Sequence, residues 1–158
     1  MRKRVIGSSP QTAPHAAANQ SWLDLEGVAT VEVTSEEKEF PIESALLAGD
    51  QKGWRAAVPG PQTIRMLFDR PQRLTRIWLS FEDATTRTQE FVLRYSADAG
   101  ASFRDIVRQQ WNFNAADGAR EMEDYSVELP NVTVLELVIV PDISKGPARA
   151  SLLSLRLA

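Results

Sequence analysis

Cysteine is absent from the 158-residue chain, so disulfides and thiolate metal sites are excluded and stability must come from packing. The missing thiols leave the compartment open, because secreted bacterial proteins often lack them too. Histidine occurs once, at His15, so no histidine pair is available for a metal or a nucleophile's base. A basic surplus is also lacking. With 18 Lys and Arg against 21 Asp and Glu, the net charge of -3 argues against a general nucleic-acid binder.

No run approaches the ~20 apolar residues needed to span a bilayer. The charged start Met1-Arg2-Lys3-Arg4 is followed by the polar, broken Ile6-Gly7-Ser8-Ser9-Pro10, so no secretion signal is read and a cytoplasmic protein is expected. A Gly-rich phosphate loop, a nucleophile elbow and a histidine metal motif are all missing. Glu82 and Asp83 are adjacent, but neighbouring strand-end acids point apart and do not make a glycosidase pair. The expectation is a protein without catalytic activity and without a cofactor.

What the chain does contain is alternation. Phe91, Leu93 and Tyr95 alternate with Glu90, Val92 and Arg94, the period of a half-buried strand, and Ser96-Ala97-Asp98-Ala99-Gly100 supplies a tight turn into a returning strand. Ile64, Met66 and Phe68 share one face of another strand. Asp69-Arg70-Pro71-Gln72 then reads as a turn into 73–81, where Ile77, Leu79 and Phe81 oppose Trp78. Tyr125, Val127 and Leu129 alternate likewise, Pro130-Asn131 reads as a turn into the apolar run 132–140, and Leu153, Leu155 and Leu157 close the chain. Residues 21–25 and 28–34 read as extended, and 42–48 as a single helical turn after Pro41. Glu36-Glu37-Lys38-Glu39 reads as a solvated turn. Trp54, Trp78, Trp111 and Phe113 are assigned to the core.

Residues 1–20, with Pro10, Pro14 and no period, read as a flexible arm, and His15 as a solvated residue within it. Residues 21–158 form one domain, long enough to bury a sizeable core. Many short strands with regular turns indicate an all-β fold, an antiparallel β-sandwich of roughly eight strands with jelly-roll topology.

Three segments together resemble the discoidin, or coagulation factor type C, domains and related galactose-binding-like carbohydrate-binding modules. They are Ala45-Leu46-Leu47-Ala48-Gly49-Asp50 with Gly53-Trp54, Phe91-Val92-Leu93-Arg94-Tyr95-Ser96 with Asp98, Gly100 and Phe103, and Leu137-Val138-Ile139-Val140-Pro141-Asp142 with Ala150-Ser151-Leu152 and Leu155. The resemblance spans 28–158. It implies a non-catalytic binding module whose ligand is a glycan or another small polar molecule, with a protein-interaction module as the alternative. The family's structural calcium would fall on Asp50, but Leu47-Ala48 occupies the neighbourhood of a further acid, and such a site needs about six to eight oxygens. A strong calcium site is therefore not expected. Trp54-Arg55-Ala56-Ala57 with Thr63-Ile64 is also similar to a segment of the N-terminal domain of a eukaryotic single-strand-break repair scaffold, a sandwich that binds protein and DNA.

Strand parity places the loops. If 102–114 is one strand, the connections 35–61, 81–87, 114–123 and 141–149 share one end, and Asp98 lies at the other. Long polar loops on a rigid sandwich are where binding usually sits. The candidate ligand-binding residues at that end are Asp83, Arg87, Asn112, Asn114, Arg120, Lys145 and Arg149. Arg87 and Arg120 are expected to contribute most, because a guanidinium fork engages two oxygens at once. Arg87 is further expected to matter for ligand rather than for stability.

Overall fold

The computed structural model describes residues 21–49 and 52–158. The arm 1–20 with His15, and the candidate calcium ligand Asp50, lie outside them.

The first element is a short 3-10 helix, Leu25–Gly27, at the junction of the two stretches, 21–25 and 28–34, that read as extended. The Asp24 carboxylate accepts the Glu26 N–H at 3.1 Å and so nucleates the turn. Strand β1 covers Ala29–Val33, and a single helical turn, α1, covers Glu43–Leu46 and buries Ala45 and Leu46. The remaining strands are β2 (Trp54–Pro59), β3 (Gln62–Glu82), β4 (Arg87–Ser96), β5 (Arg104–Phe113), β6 (Arg120–Val140), β7 (Arg149–Leu152) and β8 (Ser154–Leu157). Among the described residues no helix is long and apolar enough to cross a membrane.

Strands β3 and β6 are each 21 residues long, so the expected turns at Asp69–Gln72 and Pro130–Asn131 do not separate strands. They are corners. β3 and β6 stay antiparallel from Gln62 opposite Ile139 to Glu82 opposite Arg120, with register shifts between Leu67 and Arg76 that absorb the bend. The partner strand follows the same bend, so pairing resumes at Gln72 opposite Val132, past the break that Pro71 and Pro130 signal in the sequence.

The bend creates two layers. The halves of β3 and β6 nearest Gln62 and Val140 join β1, β4 and β5 in the order β1-β3-β6-β4-β5. The other halves pair with each other, and β8 adds to β3 through Ile77–Leu157 and Ser80–Ser154. The layers face each other: Phe81, past the corner of β3, stacks on Phe91 of β4 with ring centroids 5.4 Å apart. Ile64, Met66, Leu93, Leu135 and Leu137 from one layer meet Ile77, Leu79, Leu155 and Leu157 from the other in a single core. The chain is an antiparallel jelly-roll β-sandwich.

Trp54 and Phe113 lie in that core, each 1% exposed. Trp111 packs against it, its indole N–H donating to the Gly118 carbonyl at 3.0 Å. Trp78 is buried, as expected, but it alternates with Ile77 and Leu79 and so lies apart from the main cluster that those two residues join. Strand β5 runs without reversal, with one irregularity opposite Leu93 and Arg94. The loops 83–86, 114–119 and 141–148 therefore gather at one end with 35–61, as the pairings Glu82–Arg120 and Arg87–Phe113 require.

Candidate functional site

The loop end is built on a small two-stranded sheet. β2 and β7 pair antiparallel, which sets Arg55 opposite Ser151. Gly53 opens β2 with a φ of 76°, and a Cβ there would lie 2.6 Å from the Leu152 carbonyl oxygen, so only glycine permits the approach. The connection from β1 is tied to this sheet by its backbone. Glu37 N–H donates to the Arg55 carbonyl at 2.9 Å, and Arg55 N–H donates to the Phe40 carbonyl at 3.2 Å. The Ser35 hydroxyl accepts the Ala57 N–H at 3.0 Å, and the Ser35 carbonyl accepts the Trp54 indole N–H at 3.1 Å. These bonds fix Glu37 and Phe40 against Arg55, whose guanidinium carbon sits 4.7 Å from the centre of the Phe40 ring.

Against this sheet the end of β3 supplies Glu82, Asp83 and Thr85. Asp83 accepts the Thr85 N–H at 2.9 Å, and its own N–H donates to the Ala119 carbonyl at 2.8 Å, so the tip of this loop is set by local bonds. Between the two parts lies an open cleft of about 420 Å³, lined by Glu37, Arg55, Asp83, Thr85, Arg149 and Ser151, with Glu82 beside them. A hollow of about 60 Å³ adjoins it and shares Arg55, Glu82 and Ser151. The lining offers hydroxyls, carboxylates and guanidinium groups, the groups that hydrogen-bond neighbouring hydroxyls of a polar ligand.

Ion pairs order most of these charges. Arg149 Nη1 lies 2.6 Å from Glu37 Oε1, and Arg120 Nη2 lies 2.8 Å from Glu82 Oε2. Arg87 Nη2 lies 2.8 Å from Asp83 Oδ2, to which its Nε also donates at 2.9 Å. Burial pushes the Asp83 carboxyl up, but the Thr85 N–H and the Arg87 guanidinium outweigh it and hold the group below its ordinary value.

Of the residues the sequence singles out, Asp83 and Arg149 line the cleft, and Arg120 meets it through Glu82. The others are placed differently. Arg87 is 6% exposed and lies inside the sandwich rather than in a loop, where it donates to the Pro141 carbonyl and Asp83. Its place is to hold two loops together, because a strand-start residue of inward parity points into the fold. Asn112 lies in β5 and accepts the Thr88 hydroxyl at 2.7 Å across the outer face of the sheet. Asn114 turns its side chain into its own loop, accepting N–H groups from Ala116, Asp117 and Gly118 at 2.9–3.2 Å. Lys145 is exposed on the 141–148 loop with a φ of 62° and is not among the cleft residues.

Glu37, Arg55, Glu82, Thr85 and Ser151 line the cleft without having been selected from sequence. Parity does assign 35–61 to this end, and with it Glu37 and Arg55. Nothing local announces the β2–β7 pairing that seats Ser151 beside them.

A buried polar cluster underlies the cleft. Glu121 is 0% exposed, and its Oε1 accepts from Gln89 Nε2 at 3.3 Å. Burial first, and the neighbouring Glu123 carboxylate second, push its pKa up to about 8, against the opposing pull of Gln89 and Arg87. Tyr125 donates its hydroxyl to Glu123 at 3.1 Å, and its own pKa is raised by burial and by that carboxylate. Among the described residues no group of three or more His, Cys, Asp or Glu could hold a metal ion.

Solved structures share this architecture. The family 32 carbohydrate-binding module of Clostridium perfringens NanJ, in complex with galactose, superposes with a TM-score of 0.61 at 13% identity, over 82% of this chain and 92% of that one. CpGH89CBM32-5 of the same organism, in complex with GalNAc-β-1,3-galactose, gives 0.61 at 19% identity over 87% and 99%. The family 32 module of AlyQ, in complex with 4,5-unsaturated mannuronic acid, gives 0.63 at 14% over 88% and 98%. The fold is the one these modules share. It is the antiparallel β-sandwich expected from the sequence. No family model and no curated protein sequence matches the chain.

Proposed function

We propose that this protein is a non-catalytic carbohydrate-binding module whose ligand lies in the cleft at the loop end of the sandwich. The observation that carries the reading is the cleft itself: a hollow of about 420 Å³ on a rigid two-stranded base, lined by Arg55, Arg149, Thr85, Ser151 and paired carboxylates. Its size falls in the range of about 300–1,000 Å³ that small-ligand sites occupy. Its planar charged groups and hydroxyls suit the paired hydroxyls of a sugar ring. Solved neighbours of the same fold are carbohydrate-binding modules, which supports the ligand class.

The reading assigns the protein no reaction. Among the described residues, the one carboxyl held well above its ordinary range, Glu121, is buried and does not line the cleft. A glycan array spanning neutral, acidic and amino sugars tests the reading directly, with Arg149→Ala as the site control. Binding that this substitution weakens is the expected result. Silence across the array overturns the proposal.

A further inference from the structure

Among the described residues that line the cleft, every charge but one faces an opposite charge. Glu37 faces Arg149, Glu82 faces Arg120 and Asp83 faces Arg87, at 2.6, 2.8 and 2.8 Å. Arg55 lines the cleft and its adjoining hollow, yet no carboxylate among the described residues pairs with it. Its one contact of note is the Phe40 ring at 4.7 Å. Stacking uses the face of a guanidinium and leaves its in-plane N–H donors unspent. The group thus sits over the Phe40 ring, cationic, at the wall of an open cleft, with Ser151 at the directly opposed strand position.

A cation fixed in this way has a definite complement. Its fork matches the two oxygens of a carboxylate, and bidentate charged pairs of this kind are the strong ones among hydrogen bonds. The acids nearby do not cancel it, because each already faces its own arginine. Resting on the carbohydrate-binding reading above, we infer that the cleft takes an acidic saccharide and that Arg55 engages the carboxylate of a uronate residue.

The test is calorimetric titration of the full chain with three pairs of oligosaccharides: galacturonate, glucuronate and mannuronate oligomers, each beside its carboxyl-reduced neutral counterpart. At least one uronate is expected to bind about tenfold or more tightly than its neutral partner, the scale of one charge-assisted hydrogen bond. Arg55→Gln should abolish that preference, the uronate losing about tenfold more affinity than its neutral partner, so that the ratio between the two falls to about one. Arg55→Lys keeps the charge but not the fork, and should restore only part of the preference. Neutral oligomers that bind as tightly as their acids, or a preference that survives Arg55→Gln, would overturn the inference and leave the carbohydrate reading standing. Binding of none of the six, together with a silent glycan array, would overturn both. A melting temperature that falls in Arg55→Gln and in Arg55→Lys alike, with the preference kept, would make Arg55 a packing residue and also reject it.

Discussion

The guanidinium carbon of Arg87 lies 4.6 Å from the centre of the Phe113 ring, so the start of β4 is clamped onto the end of β5 inside the sandwich. The same side chain donates to Asp83 and to the Pro141 carbonyl, joining the loop after β3 to the loop after β6. Arg87→Ala would leave a gap and strand Asp83 without its cation. The expected cost is about 3 kcal/mol, the scale for breaking a buried ion pair from one side. For a domain of this size that is roughly 6–12 °C in Tm. Thermal denaturation of the variant checks it, and an unchanged Tm would return Arg87 to the role of a ligand residue.

Glu121 makes stability depend on pH. Its pKa in the fold is about 8 against an ordinary 4.5, so the folded chain keeps a proton that the unfolded chain releases between these values. The contribution is complete below about pH 4.5 and is lost as pH rises through 8. Glu121→Gln mimics the protonated group, so its Tm should fall less than that of wild type between pH 5 and about 8.5. Asp83 acts in a separate window with the opposite sign. Its pKa is depressed, so its contribution is present above its ordinary 3.8 and is lost only as pH falls below that value. Equal slopes for wild type and Glu121→Gln would refute the assignment.

Across the outer face of the large sheet, Glu32, Arg65, Glu136, Arg94 and Asp105 fall in one row over five strands, alternating in sign. Glu136 is 1% exposed, covered by Arg65 at 2.8 Å and Arg94 at 2.6 Å. Both arginines are partly solvated, so Glu136→Gln should cost only about 1–2 kcal/mol, less than a fully enclosed pair. Urea denaturation measures it, and the loss should shrink little in high salt because the carboxylate itself is covered.

Asp98 anchors the turn at the opposite end. Its carboxylate accepts the Ser102 hydroxyl at 2.6 Å, the Ser96 hydroxyl at 2.6 Å and the Ser102 N–H at 2.9 Å. The Ser102 hydroxyl first and the Ser96 hydroxyl second hold its pKa down at about 2. Asp98→Ala should lower Tm at neutral pH, and the difference from wild type should close as pH falls from about 4 through 2, where wild type loses its carboxylate too. Affinity for any saccharide should be untouched, because this turn lies at the far end from the cleft. Reduced affinity in this variant would place the ligand elsewhere.

The sequence by itself determined the strand faces, because alternation is a local property: Ile64 with Met66, Phe91 with Leu93 and Ile77 with Leu79 each lie in the core as their period requires. The end at which the long loops gather followed from parity only on the condition that 102–114 is one strand, a condition the pairing of β5 with β4 meets. The continuity of β3 and β6 through Pro71 and Pro130 could not be read in this way. A proline-marked corner and a proline-marked turn look alike until the partner strand is seen to bend with it. The roles of Arg87 and Arg55 were decided only by tertiary structure. Both are arginines near strand starts, yet one has Phe113, Asp83 and the Pro141 carbonyl closing around it. The other has only Phe40 behind it and an open cleft in front. Which charges are already paired depends on residues far apart in sequence, as Arg149 with Glu37 and Arg120 with Glu82 show. No local pattern carries that information.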